Sequence, residues 1–438
     1  MYNIIPNYID RNKLIINNKS AYDLNINNKK RIYLKYGLNL IEIDIVLSKE
    51  IDVNELSLSI NIINDLNIYL NSIYEIRNSN NILTIGPYIG ILAFHTKEGL
   101  NNNINSLSNY IYHYLKIGGS ILAFSLEGIN RDKQLIEGYL YDYKLNKWIF
   151  GNYKYPSVIF KRISINKEWR NILVNLYEHK LFNDYTFNKW EMYNYLNQFK
   201  NLRSFLPDTS IYQDYQDINT NLDIHKNIYI KPINGSQGLN IIKVNKTDSG
   251  ILIYMNNNEI ALYNKNEIID FFKNTLKKDK YIIQKAVDLH NDKGQIIDFR
   301  LVIIKNEDGK WEDMGMIART GNINSIVSNI SRGGLAEKGE IILKKHLNMT
   351  DKEAFIRRNI MSNLSIAIAK SIEECGINCG NLGIDLGIDK KGKIWLIEVN
   401  NKDPNHTIAI DAEDRQMFYK IKMKNMLYCK YLDGFRED

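Results

Sequence analysis

The segment Asn381-Leu-Gly-Ile-Asp385-Leu-Gly-Ile-Asp-Lys-Lys-Gly-Lys-Ile-Trp-Leu-Ile-Glu398-Val-Asn400 constrains the chain more than any other. Two apolar, β-prone runs flank Asp389-Lys390-Lys391-Gly392, a pattern that predicts a β-hairpin. Side chains alternate along a strand, so Glu398 and Asn400 leave the same face, and the turn brings Asp385 opposite residues 396–398. Two carboxylates held so close repel by about 1 kcal/mol in water and about 4 kcal/mol at an effective dielectric of 20. Oxygen ligands gathered against that cost point to a hard divalent cation, Mg²⁺ first among them. A metal held in this way commonly serves phosphate chemistry, which directs attention to a nucleotide site elsewhere in the chain.

At 438 residues the chain exceeds what one hydrophobic core usually serves, so two or three domains are expected. The formal charge is +7, but Lys and Arg are dispersed, with no tract dense enough for a nucleic-acid footprint. No nucleic-acid partner is therefore expected. The three cysteines, Cys375, Cys379 and Cys429, are too few and too badly spaced for a disulfide framework or a zinc site. They read as reduced packing residues of a cytosolic protein. The first residues lack a basic segment followed by an apolar core, and no apolar run reaches the ~18 residues of a membrane span. The expectation is a cytoplasmic chain with no membrane partner.

Short β-prone runs at Arg31–Tyr36, Ile41–Leu47 and Ile68–Ile76 suggest a β-rich accessory domain over residues 1–82. From residue 83 apolar strands at Leu83–Phe94, Ser120–Phe124, Leu135–Tyr143 and Pro156–Ile163 alternate with a helix-like stretch around Asn105–Leu115. This indicates an α/β domain over 83–180. Trp169, Leu173, Leu176 and Tyr177 recur at helical spacing and read as core. The remainder, 181–438, contains strands at Ile228, Tyr281–Gln284, Ile296–Ile304 and Trp311–Arg319, and helices near Lys265–Leu276 and Asp351–Glu374. The hairpin and a terminal helix complete it.

A second signal is Ile228-Tyr-Ile-Lys231-Pro232-Ile-Asn-Gly235-Ser236-Gln237-Gly238. Two glycines flanking Ser236 permit a tight loop whose backbone N–H groups can face phosphate oxygens, and Lys231 enters on the strand before it. Taken alone, such a loop is also ordinary turn chemistry. It is not a Walker loop, because the lysine precedes the glycines and a strand follows them. Lys-Pro-x-x-Gly-Ser-x-Gly, followed about 150 residues later by Asp…Glu-x-Asn, resembles the ATP-grasp superfamily. Gly294-Gln-Ile-Ile-Asp298-Phe-Arg300, Ile317-Ala-Arg319 and Ser328-Asn329-Ile-Ser-Arg-Gly333-Gly334 resemble RimK-type ligases. Ile85-Gly-Pro-Tyr-Ile-Gly-Ile-Leu92, Phe124-Ser-Leu-Glu-Gly128 and Leu206-Pro-Asp-Thr209 extend the likeness to the YheC/YheD family of endospore-coat-associated proteins.

The resemblance implies a multidomain α+β and α/β chain: an ATP-grasp fold with residues 206–285 as its lid, preceded by an α/β pre-ATP-grasp domain and a small N-terminal β-rich domain. It implies ATP and two Mg²⁺ ions as cofactors, the metal held by Asp385, Glu398 and Asn400. Lys189 and Lys231 would contact ATP phosphates, with Gly235, Ser236 and Gly238 in the loop above them; an exposed helix lysine is the other reading of Lys189. Gln284, Lys285, Ala286 and Val287 would read adenine, and the usual acid at the ribose end is replaced by Gln284 or absent. Arg319 would stabilise charge on the transferred phosphoryl group, and Asn329 would close near the acyl site. Arg300 would hold the acceptor carboxylate or form an internal salt bridge with Asp298. The expected function is ATP-dependent joining of a small-molecule or peptide carboxylate to an amine. The competing expectation is a non-catalytic, ATP-binding scaffold associated with the spore coat.

Overall fold

The computed structural model describes residues 1–235, 238–255, 258–289, 291, 293–323, 328 and 333–436. Four sheets organise them, each built where β-branched and aromatic residues alternate with turn-forming Asn, Asp and Gly. The first has seven strands from residues 3–86, and Tyr36 and Tyr74 from it both meet the Ser120 hydroxyl of the second sheet, at 2.7 and 2.9 Å. One hydrophobic core runs from Leu14 and Leu34 through Tyr88 to Phe124 and Ile159. The 82/83 boundary read from sequence thus crosses a shared core.

The second sheet has six strands, with Ser120–Asn130, Tyr88–Phe94, Val158–Lys161 and Leu181–Phe182 running parallel from its middle to one edge. A cis Gly86–Pro87 peptide separates the last strand segment of the first sheet from Tyr88. Gly119 (φ +69°) passes so close to Pro87 that a Cβ would lie 1.8 Å from the Pro87 carbonyl oxygen, so no other residue fits there. The helix expected at Asn105–Leu115 is instead a 3₁₀ segment, Ile104–Tyr110, and a short helix, Tyr114–Ile117. Its Asn and Ser side chains bond nearby backbone carbonyls, as Ser106 does to Asn103 (2.7 Å) and Asn109 to Ser106 (3.0 Å), which competes with a regular helix. In place of the expected strand Ile68–Ile76 the strand is Glu75–Ser79, and Leu176 lies exposed while Leu173 and Tyr177 are buried.

The third sheet is antiparallel, in the order Thr209–Ile211, Tyr281–Lys285, Asn227–Pro232, Ile242–Lys246, Ile251–Met255, Asn258–Leu262. The fourth is also antiparallel: Leu335–Lys338, Trp311–Thr320, Ile297–Lys305, Asn381–Ile388, Ile394–Asn400. Helix Asp351–Glu374 starts at a capping box, Thr350 with Glu353, and lays Met361, Leu364, Ile368 and Ile372 on one face of the fourth sheet. The final helix, Arg415–Leu432, joins two regions. Met417, Phe418 and Ile421 cover the other face of the fourth sheet, and Met426 to Cys429 pack on the second. Cys379 and Cys429 are buried free thiols. Among the described residues no helix is long and apolar enough to cross a membrane.

Ile421 is completely buried where that helix meets the fourth sheet. Ile421→Ala should cost about 2–5 kcal/mol, seen as a lower urea midpoint for the full chain.

Candidate active site

The third and fourth sheets face each other across a cleft of about 820 Å³ whose outer wall is completed by His95 and Arg162 of the second sheet. On strand Ile297–Lys305 the odd-numbered Phe299, Leu301 and Ile303 enter the core beneath, while Asp298 and Arg300 share the opposite face. Strand Asn381–Ile388 does the same with Leu382, Ile384 and Leu386 inward and Asp385 outward. Gly383, beside it, leaves room for the Arg300 side chain, since a Cβ there would lie 3.4 Å from Arg300 Cδ and 3.0 Å from Pro404 Cβ.

The cross-strand register then decides the pairing. Asp298 lies opposite Arg319, Arg300 opposite Asp385, and Asp385 opposite Glu398. Arg319 forks onto Asp298, Nε to Oδ1 at 2.7 Å and Nη2 to Oδ2 at 2.6 Å. Arg300 forks onto Asp385 with both bonds at 2.6 Å, and Arg319 Nη2 also reaches Asp385 Oδ2 at 2.9 Å. The Ser328 hydroxyl donates to Asp298 Oδ2 at 2.7 Å. All four charged residues are buried and their charges cancel. The anticipated Asp298–Arg300 bridge is therefore replaced: side chains two apart on one strand run side by side, and each finds its partner across the ladder. Burial alone would raise the Asp385 carboxyl, but Arg300 and Arg319 outweigh it and hold it below the usual range. Burial likewise opposes the Arg319 charge, and Asp298 and Asp385 raise it above its ordinary value.

The hairpin forms where expected and brings Asp385 and Asn400 together, Asn400 Nδ2 donating to Asp385 Oδ2 at 3.4 Å. That orientation leaves the amide oxygen of Asn400 as an acceptor. Glu398 pairs with Lys189 at 3.1 Å. The expected repulsion between Asp385 and Glu398 is thus met by protein cations. Among the described residues no three His, Cys, Asp or Glu side chains form a metal set by themselves.

Lys189 opens helix Lys189–Asn197 behind the Asn188–Glu191 capping box, and its ammonium donates to the Gly235 carbonyl at 2.6 Å. Lys231 is the last residue but one of strand Asn227–Pro232 and donates to Gln284 Oε1 at 2.7 Å; Gln284 in turn donates to the Thr209 hydroxyl at 3.0 Å. Burial pushes the Lys231 ammonium down to about 8, with Glu398 working against the shift and Lys189 adding to it. Gly238, Lys285 and Val287 line the same cleft. Ala286 faces a neighbouring hollow, and its N–H donates to the Asn227 carbonyl at 3.0 Å, as that of Lys285 does to Asp208 at 2.9 Å. Ser236 and Asn329 lie outside the described residues. Sequence reading missed Arg162, which donates to Asp403 at 2.8 Å, and also Thr209 and His95. The one available signal was an apolar strand, Val158–Lys161, running straight into two cations at its end.

A family profile described as YheC/D-like ATP-grasp matches residues 178–432. The endospore coat-associated protein YheD of Bacillus subtilis (strain 168) is 25% identical over 422 residues, spanning 92% of this chain and 90% of that protein. YheC of the same strain, also described as endospore coat-associated, is 23% identical over 250 residues, 56% of this chain and 67% of that protein. Among solved structures, the VanG D-Ala:D-Ser ligase from Enterococcus faecalis aligns at 9% identity with a TM-score of 0.44, covering 79% of this chain and 98% of that one.

Removing Asp385 leaves two buried guanidinium groups short of a partner. Asp385→Ala should therefore cost about 3–5 kcal/mol in urea unfolding. The depressed carboxyl stabilises the fold above its unfolded pKa and loses that contribution as pH falls through its lower folded value. The stability gap between wild type and Asp385→Asn should accordingly close in acid.

Proposed function

Because the chain belongs to the YheC/D-like ATP-grasp family, we propose that it is an ATP-dependent ligase joining a carboxylate to an amine through an acylphosphate. The observation that carries this reading is one cleft lined by Lys189, Lys231, Arg319, Glu398 and Asn400 together. Two ammonium groups face the phosphate end, a guanidinium lies behind it, and two oxygen-bearing side chains stand beside it. In the reaction a carboxylate oxygen bonds to the γ-phosphorus as the bond to the β,γ-bridging oxygen breaks and ADP leaves. The amine then attacks the acyl carbon, phosphate departs, and the amine proton is released.

Each side chain has a task in that sequence. Lys189 and Lys231 offset negative charge on the phosphates, and Lys231 gains most from their arrival because burial has left its ammonium poorly compensated. Arg319, held in place by Asp298 and Asp385, sets a fixed positive charge behind the nonbridging oxygens. Glu398 and the Asn400 amide oxygen fit Mg²⁺, which favours such hard oxygen donors; Asp385 joins them only by exchanging a guanidinium. Bound there, Mg²⁺ would screen phosphate charge and orient the transferred group. Ser236, Gly235 and Gly238 belong to the loop proposed to cover the phosphates, Gln284 to Val287 to the adenine contact, and Asn329 to the acyl end. Arg300 is committed to Asp385 and so acts on an acceptor carboxylate only by sharing that fork.

A second reading is an ATP-binding scaffold of the spore coat that performs no ligation. It is favoured by the engagement of both guanidinium groups by carboxylates and by the relatives' description as endospore coat-associated. Amine-dependent release of ADP and phosphate separates the two readings, and tight Mg²⁺-ATP binding with no release in the presence of broad acid and amine mixtures would leave the scaffold.

Two outcomes follow from the ligase reading. Arg319→Lys keeps the cation and loses the fork, so ADP release should drop about 10²-fold while ATP binding persists; an unchanged rate removes Arg319 from the chemistry. Lys231, free at about 8, should be held protonated by bound phosphates. Binding near pH 8 should then take up about half a proton, and affinity should fall as pH rises further. Calorimetry in buffers of different ionisation enthalpy measures the uptake, which Lys231→Met should abolish.

A further inference from the structure

A second cleft, of about 940 Å³, opens on the far side of Lys189 and meets the first at Gly235, Glu398, Asn400, Lys402 and Asp403. A molecule lying in it therefore reaches the phosphate end of the ligase site. Its walls come from strand Val158–Lys161, helix Lys167–Tyr177 and the segment 184–189.

The charge in this cleft is unevenly matched. Its three carboxylates are already paired: Asp184 with Arg170 at 2.8 Å, Glu398 with Lys189 at 3.1 Å, and Asp403 with Arg162 at 2.8 Å. Lys161, Lys167 and Lys402 line the same space with no carboxylate in ion-pair reach among the described residues. Lys161 matters most, because it is fully buried and, among the described residues, its ammonium makes one hydrogen bond, to the Ile163 carbonyl at 2.8 Å. Burial pushes that ammonium down to about 8, a cost that a nearby anion would remove. Among the described residues, Arg170 Nε and the Thr186 hydroxyl are buried donors without a partner, and Asp403 Oδ1 is a buried acceptor without one. Unsatisfied buried polar atoms are uncommon in folded proteins, and here three of them belong to residues that line one cavity.

Donors suited to a carboxylate next to an acceptor suited to an amide N–H describe an acidic peptide-like molecule. A phosphate would satisfy the donors and leave the Asp403 oxygen facing an anion. Resting on the ligase reading, we propose that the second cleft holds a carboxylate of the substrate other than the one activated, so that the substrate is a peptide-like acid bearing more than one carboxylate. Lys161, Arg170 and Thr186 bind that distal carboxylate, and Asp403 accepts from an adjoining N–H. They are specificity residues, and the acyl transfer itself stays at the phosphate end.

The test is calorimetry on the full chain, first with Mg²⁺ and a non-hydrolysable ATP analogue, then with triglutamate as the probe and trialanine and inorganic phosphate as controls. Triglutamate should bind in a salt-sensitive manner and more tightly than either control. Lys161→Met, close in shape and free of the buried charge, should keep the fold and the nucleotide affinity yet weaken triglutamate about tenfold or more. Thr186→Val should weaken it in the same direction, which guards against a folding defect in the first variant. Equal binding of trialanine, tighter binding of phosphate, or triglutamate affinity unchanged in both variants would overturn the proposal. Failure of the ATP analogue to bind removes the ligase reading instead. Triglutamate binding that is lost in both variants would then still support an acidic-peptide site in this cleft.

Discussion

The buried chain of alternating charges, Asp298, Arg319, Asp385 and Arg300, is the interaction on which the rest of the site depends. It joins three neighbouring strands of the fourth sheet by side-chain forks laid across their ladders. Taking four charges out of water is expensive, and the arrangement is tenable because each carboxylate is met by a planar donor and the sum is neutral. In return it fixes the plane of Arg319, orients the Asn400 amide, and through Ser328 reaches the loop beyond residue 320. A guanidinium held in this way needs little reorganisation when charge develops beside it.

Around that neutral cluster the cleft is kept electropositive. Lys189 spans Glu398 and the Gly235 carbonyl, so one ammonium ties the hairpin to the glycine loop. Lys231 leans on a neutral amide, Gln284, and pays for its burial in acidity. The third sheet supplies this end of the site and the fourth supplies the acids and guanidinium groups. The last helix, packed on both the fourth sheet and the second, brings Arg162 and His95 to the same opening.

The hairpin was legible because its signals are local: period-two apolar runs, a turn with glycine, and acids at set offsets. Helix Asp351–Glu374 was legible for the same reason, having a cap at one end and a regular apolar stripe. The partner of Arg300 was not. On one strand Asp298 and Arg300 look like a pair, whereas the true partners lie 21 and 85 positions away from them in sequence, selected by strand register. The segment around Asn105 misled because its side chains could bond the backbone and did so. Arg162, His95 and the second cleft carry no motif of their own, since they come together only where the second sheet packs beside the third and fourth.

What the sequence determined by itself was therefore chemical: the turn chemistry, the faces of the strands, and the oxygen, ammonium and guanidinium groups available for a nucleotide site. Only the tertiary structure decided who neutralises whom. It gave Asp385 to two guanidinium groups and Glu398 to Lys189, and placed Lys161 in a buried wall with no carboxylate in ion-pair reach among the described residues. The physical reason is that periodicity and turn preference act over a few residues. Electrostatic pairing acts over a few ångströms, and it is the register of strands and the packing of helices that convert one distance into the other.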